Sequence, residues 1–149
     1  MGRTFHDFQA IGSHETEVLV QSMVSNGREV ILGGKHDDVF GPVVLFGLGG
    51  VFVEALEDVV WRVAPINHDV ARQMIHGIKG SKILGGLRGE KPYDVGAVAD
   101  LLVRLSQMLV DLPLIQEIDI NPVMVFQEGQ GAQAVDARVI LKGKAQNEV

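Results

Sequence analysis

The densest run of chemistry-bearing side chains is Glu117-Ile118-Asp119-Ile120-Asn121-Pro122. In a strand, side chains alternate between faces. Glu117, Asp119 and Asn121 therefore share one face, with Ile118 and Ile120 on the other. Three oxygen-bearing side chains on one face, backed by isoleucine, would form an acidic site. An ordinary strand with one wet face shows the same alternation. Pro122 lacks an N–H and is expected to end regular pairing unless the strand lies at an edge.

The partner of this run follows it. Glu128-Gly129 is the natural centre of a turn between strands at 115–126 and 132–141. Centred there, Asn121 opposes Asp136 and Asp119 opposes Arg138. Directly opposed Cβ atoms lie about 4.5–5.5 Å apart. An amide oxygen and a carboxylate could then share one cation, with water and phosphate oxygens completing its shell. Asp119 and Arg138 could equally form a surface ion pair worth under ~1 kcal/mol. A bulge at Pro122 would spoil this register.

These residues need a scaffold, and turn and period signals supply one. Residues 1–16 show no period and read as an irregular lead-in. Val18-Leu19-Val20 opens a β-like run, and Ser25-Asn26-Gly27 is a turn signal. Residues 29–35 read as the second strand of a hairpin over 17–37. Short strands follow at 43–46, 51–56 and 59–64, with gaps too short for a parallel crossover. After Pro65 the period becomes helical. Asn67 is a cap, Val70, Met74, Ile75 and Ile78 form the apolar stripe, and Gly80 is the stop. Residues 80–93 read as a glycine-rich, charged loop in which Arg88 either meets an anion or is simply solvated. Asp94 caps a longer helix striped by Val95, Val98, Leu101, Leu102, Leu105, Met108 and Leu109, with Pro113 beyond its end. Ser106 on that helix has no base in view to make it a nucleophile. Residues 142–149 read as a polar tail. Strands, then helices, then strands predict an α+β domain, a mostly antiparallel sheet packed with two helices.

Composition narrows the function classes. The chain has 149 residues, enough for one domain with one core. A net charge of -6 with scattered Lys and Arg excludes a nucleic-acid surface. The absence of cysteine excludes disulfides, zinc-cysteine sites and thiol catalysis, and fits a cytoplasmic protein. Every apolar run is interrupted before it could span a membrane as a helix, and the N-terminus lacks the apolar core of a signal peptide.

The run 117–122, followed by Asp136-Ala137-Arg138, resembles the acidic-x-Asn-Pro and Asp-x-(Arg/Lys) pattern of the ATP-grasp subunit of ADP-forming acetyl-CoA synthetases and succinyl-CoA synthetase. Further matches run in the same order: residues 18–24, Gly27-Arg28-Glu29-Val30, Phe40-Gly41-Pro42, Phe46-Gly47-Leu48-Gly49-Gly50, Glu54, Asp58-Val59, Arg62-Val63-Ala64-Pro65, Leu87-Arg88-Gly89 and Leu105-Ser106-Gln107. Each is weak alone, but the collinear set over 17–141 is specific. The resemblance implies the C-terminal subdomain of an ATP-grasp fold, with ATP and Mg²⁺ as cofactors of an acid–CoA ligation. Gln21, Ser22, Met23 and Val24 correspond to the linker that meets adenine, and Glu29 to the acid that binds the ribose. Asn121 and Asp136 correspond to the magnesium ligands, and Arg62 and Arg138 to phosphate contacts. Glu54 matches a family position without an assigned role.

Several family parts have no counterpart here. No segment before residue 17 matches the earlier lobe that covers the triphosphate. The CoA-binding domains are missing, and none of His6, His14, His36, His68 and His76 lies in a phosphohistidine-like segment. The chain therefore reads as part of a larger enzyme, inactive alone, with the missing lobe and the CoA-binding domains or subunit as partners. Apolar surface left where that lobe belongs would favour self-association into a homo-oligomer. Competing readings are a non-catalytic docking module, another ATP-grasp carboxylate ligase, and the same domain of an acyltransferase fusion. A pure scaffold would not need Glu29, Asn121 and Asp136.

Overall fold

The computed structural model describes residues 22–50, 58–86 and 89–143. Its elements are β1 (Arg28–Asp37), β2 (Gly41–Leu48), β3 (Val59–Val63), α1 (His68–Gly77), a 3-10 helix (Lys79–Gly85), α2 (Val95–Asp111), β4 (Ile115–Val125), β5 (Ala132–Ala134) and β6 (Ala137–Leu141). The strands form one sheet in the order β3-β2-β1-β4-β5, with β6 also on β4. Every pairing is antiparallel. The α+β reading is therefore the observed one, with a 3-10 helix added to the two α-helices. Among the described residues no helix is long and apolar enough to cross a membrane.

One core holds the layers together. Val30, Leu32, Val44, Phe46, Leu48, Ile118, Val123 and Val125 line one face of the sheet. They pack against Ala71, Met74 and Ile75 of α1 and Val98, Leu102, Leu105 and Leu109 of α2. Burying such a side chain stabilises the fold by about 1.5–3 kcal/mol. Gly34 lets α2 lie close to the sheet, since a Cβ there would collide with Leu109 Cδ1. The helices begin where their caps predict. Asn67 Oδ1 accepts from the Val70 N–H at 2.9 Å, and Asp94 Oδ1 from the Ala97 N–H at 2.9 Å.

Five local expectations are corrected. Both edges of β1 are taken, by β2 and β4, so β1 has no edge left for a hairpin with 17–24. Of those residues, 22–24 carry no strand and 17–21 lie outside the described residues, as does the strand expected at 51–56. Helix α1 ends at Gly77, not Gly80. Asp58 then holds the N–H groups of Lys79 (2.8 Å) and Gly80 (2.7 Å), which starts the 3-10 helix where a loop was expected. The return strand is split at Val135-Asp136 into β5 and β6.

Pro122 does not end β4, the fifth correction. The register between β1 and β4 shifts so that Asn121 and Pro122 together oppose Ile31, a bulge. On the other side the Asn121 N–H donates to Asp136 O at 3.2 Å, and Pro122 O accepts from the Val135 N–H at 3.0 Å. The missing N–H thus falls where the ladder does not call for it.

Ser106 is fully buried. Its Oγ donates to Val103 O at 2.7 Å and accepts from the Ile66 N–H at 3.1 Å, tying the approach to α1 onto α2. Replacing it by alanine would leave that N–H buried without a partner, at a cost of about 1–3 kcal/mol. Urea denaturation of Ser106→Ala measures this directly. A loss below about 0.5 kcal/mol would show that the hydroxyl is dispensable.

Candidate functional site

The register of β4 against its return strands is the expected one from Glu117 to Val125, with a shift at its start, between Ile115 and Glu117. Asp119 opposes Arg138, Ile120 opposes Ala137, Val123 opposes Ala134 and Val125 opposes Ala132. Asn121 faces Asp136 across the short break between β5 and β6. The bulge at Pro122 disturbs the β1 side of β4 and leaves this side intact.

Glu117, Asp119 and Asn121 are exposed on the face turned away from the helices, and Asp136 and Arg138 are exposed beside them. Asp136 Oδ1 accepts from the Ala137 N–H at 2.8 Å. Among the described residues, neither Asp136 Oδ2 nor the Asn121 side-chain oxygen is spent on a hydrogen bond. The ion pairs among the described residues are Arg28–Glu90 and His68–Asp100, so Asp119 and Arg138 are opposed without pairing. No cluster of three His, Cys, Asp or Glu side chains exists among the described residues. A cation at Asn121 and Asp136 would rest on one amide and one carboxylate, with other oxygens completing its shell.

The same face carries Glu29, opposite Met124. A cavity of about 300 Å³ is lined by Ser22, Met23, Val24, Glu29, Pro122, Met124 and Val135. Three of the four linker residues thus meet Glu29 and the strand that bears Asn121; Gln21 lies outside the described residues. A second cavity, of about 330 Å³, lies against Glu29, Arg28, Leu48, Gly49 and Gly50. Glu29 is a wall of both. The Gly49 N–H donates to Glu29 O at 2.8 Å. A Cβ on Gly49 would come within 2.8 Å of Glu29 Cβ, and one on Gly50 within 2.8 Å of Glu29 Oε2. The paired glycines make room for the acid. A larger cavity, about 580 Å³, opens among α1, the 3-10 helix and the start of α2, and it holds none of the candidate residues.

Arg62 is not brought into this group. It opposes Val44, whose side chain is in the core, so Arg62 belongs to the helix side of edge strand β3. Its Nη1 donates to Trp61 O at 2.8 Å. Glu54, Leu87 and Arg88 lie outside the described residues.

Two contributors escape the sequence reading. Simple alternation from Asn121 would put Met124 in the core. The bulge adds a residue and reverses the phase, so Val123 and Val125 turn inward and Met124 joins Glu29. The second is Asp94, legible only as a helix cap. Its Oδ2 also accepts from the N–H groups of Gly129 and Gly131, both at 3.0 Å, and so fixes the turn that sets Asp136 opposite Asn121. Both glycines have positive φ, 81° and 83°, a conformation that side chains resist.

The chain belongs to the ATP-grasp family: a family model described as the ATP-grasp domain matches residues 6–141. It is 50% identical over 127 residues to the beta subunit of acetate–CoA ligase [ADP-forming] II of Pyrococcus furiosus, covering 85% of this chain and 54% of that one. It is 51% identical over 124 residues to acetate–CoA ligase [ADP-forming] I of Archaeoglobus fulgidus, covering 83% of this chain and 18% of that one. The chain thus spans about half the length of the former and under a fifth of the latter. Among solved structures, a dinucleotide-forming acetyl-coenzyme A synthetase of Ca. Korarchaeum cryptofilum, in complex with coenzyme A and Mg-AMPPCP, aligns with a TM-score of 0.76 and 44% identity. That alignment covers 80% of this chain and 55% of the other.

The Asp94 carboxyl is held below the usual aspartate range, first by the Ala97 N–H and then by those of Gly131 and Gly129. A depressed folded pKa contributes stability that is present above the unfolded value and lost as pH falls through the folded one. Asp94→Ala is expected to cost about 1–3 kcal/mol at neutral pH. The gap from the parent should shrink as pH drops below the ordinary aspartate value of 3.8. Denaturant midpoints measured from pH 7 to pH 2 check both, and a gap independent of pH would contradict the clamp.

Proposed function

We propose that this chain supplies the base-, ribose- and magnesium-contacting side of the ATP site in an ADP-forming acyl-CoA ligase. The observation that carries the reading is that Asn121 and Asp136 are opposed on the same face as the cavity bordered by Glu29 and residues 22–24. The whole reaction interconverts acid, CoA and ATP with acyl-CoA, ADP and phosphate. CoA and the phosphoryl-carrying histidine belong to other domains or a partner subunit, and we place the enzyme in the cytoplasm. We take residues 17–141 as the subdomain concerned.

The residues suit these ligands chemically. The backbone of 22–24 can offer an adenine edge one donor and one acceptor. Pro122, Met124 and Val135 give the base apolar walls, and a thioether packs well against an aromatic ring. The Glu29 carboxylate can accept both ribose hydroxyls. Asn121 and Asp136 provide the hard oxygens that Mg²⁺ requires while leaving most of its shell to water and phosphate. A bound Mg²⁺ would neutralise charge on the phosphates during transfer. Arg138, on the same face next to this pair, would offer its guanidinium to an anionic phosphate oxygen. Arg62, on the opposite side, is not part of this arrangement.

Calorimetric titration with Mg-ATP tests the reading on this chain and on an Asn121→Ala/Asp136→Ala double variant. Weak magnesium-dependent binding is expected, lost at least about tenfold in the variant, as for removal of charged ligands worth above ~1.4 kcal/mol. Binding indifferent to the double substitution would sink the metal assignment. If neither chain binds, the same substitutions in the full-length protein decide the matter.

A further inference from the structure

Arg28 precedes Glu29 and points to the other face of the sheet, so it does not line the cavity that Glu29 shares with residues 22–24. Its surroundings are nonetheless elaborate. Nη2 donates to Glu90 Oε2 at 3.1 Å, and the guanidinium lies over the Tyr93 ring, 5.5 Å from its centroid. Glu90 holds the Arg28 pKa above its ordinary value.

The anchor is itself fixed. The Tyr93 N–H donates to Leu84 O at 2.9 Å, and Tyr93 bridges Gln127. The Glu128 N–H donates to Pro92 O, and the Asp94 N–H to Phe126 O, each at 2.9 Å. Residues 92–94 thus run locked along the end of the β4–β5 hairpin. Arg28 fastens the first residue of β1 to that rigid rail.

Stability alone does not account for this cluster. The ion-paired side chains are 34% and 45% exposed, so the pair adds little. Arg28 Nε is buried without a partner, which costs stability. What the cluster provides is position. Before Arg28 the chain turns through Asn26 (φ 67°) and carries no strand, and Gly27 lies close against Met124 and Val125 O. After it comes Glu29 and then Val30, which is fully buried. Glu29 is held between two fixed residues, with its carbonyl on the Gly49 N–H and its carboxylate against Gly50.

We infer that Arg28 is a positioning residue, which sets the Glu29 carboxylate by pinning the start of β1 to Glu90 and Tyr93. The inference rests on the proposed ribose role of Glu29. It predicts an effect confined to ligands with ribose hydroxyls, which a merely structural residue would not produce.

Two measurements test it. In Arg28→Ala, hydrogen exchange at the Gly49 N–H should accelerate about tenfold. The Ala97 and Gly131 N–H groups, held by Asp94, should keep their protection. Unchanged Gly49 protection, or equal loss at all three, would overturn the inference. The second measurement is the ratio of affinities for Mg-ATP and for Mg-2′,3′-dideoxy-ATP. Glu29→Ala should abolish any preference for ATP. Arg28→Ala should reduce it about threefold to at most thirtyfold, the combined reach of one half-exposed ion pair and one stacking contact. Arg28→Lys should restore part of it. A preference lost in Glu29→Ala but intact in Arg28→Ala refutes the positioning role alone. A parent chain that does not prefer ATP counts against the ribose assignment, and the exchange result then decides the role of Arg28.

Discussion

Much of this structure hangs on one carboxylate. Asp94 caps α2 with one oxygen and gathers two turn amides with the other. Helix and hairpin thereby share a single fixed point. From it, the helix lays Val98, Leu102, Leu105 and Leu109 over the sheet. The hairpin, from the same point, carries Asp136 back to Asn121. A helix N-terminus favours negative charge on its own account, so the carboxylate serves the core and the candidate metal pair at once.

The sheet divides the labour between its faces. The helix side is mostly apolar, with Arg28 and Arg62 near its edges. The far side collects Glu29, Asp119, Asn121, Met124 and Arg138, which come from three different strands. Only the pairing of β1 with β4 brings Glu29 to the same neighbourhood as Asn121, and those strands are separated in the chain by both helices. ATP-grasp membership fits such a layout, in which one sheet face presents polar groups to a ligand and the other is spent on packing.

What was legible in the sequence was local. Asn67 and Asp94 announce their helices because a cap acts on amides a few residues away. The opposition of Asn121 and Asp136 follows from a short turn, whose length sets the register. The pairing of β1 with β4 was not legible, since nothing near Glu29 encodes a partner so distant. The 3-10 helix was hidden because its start depends on Asp58, a residue contributed from another element. The place of Met124 was not legible because one bulged residue reverses the alternation, and propensity carries no signal for that reversal.

The bulge at Asn121 and Pro122 has a consequence for how this domain can vary. Around these residues strand β4 is read in two frames: one by β1, which skips a residue there, and one by β5 and β6, which keep step from Glu117 to Val125. Substitutions on the outer face can be absorbed singly. Loss or gain of one residue between Asn121 and the turn would swing Val123 and Val125 out of the core and slide Asp136 past its partner together. The length of this segment, more than its composition, is what inheritance must preserve.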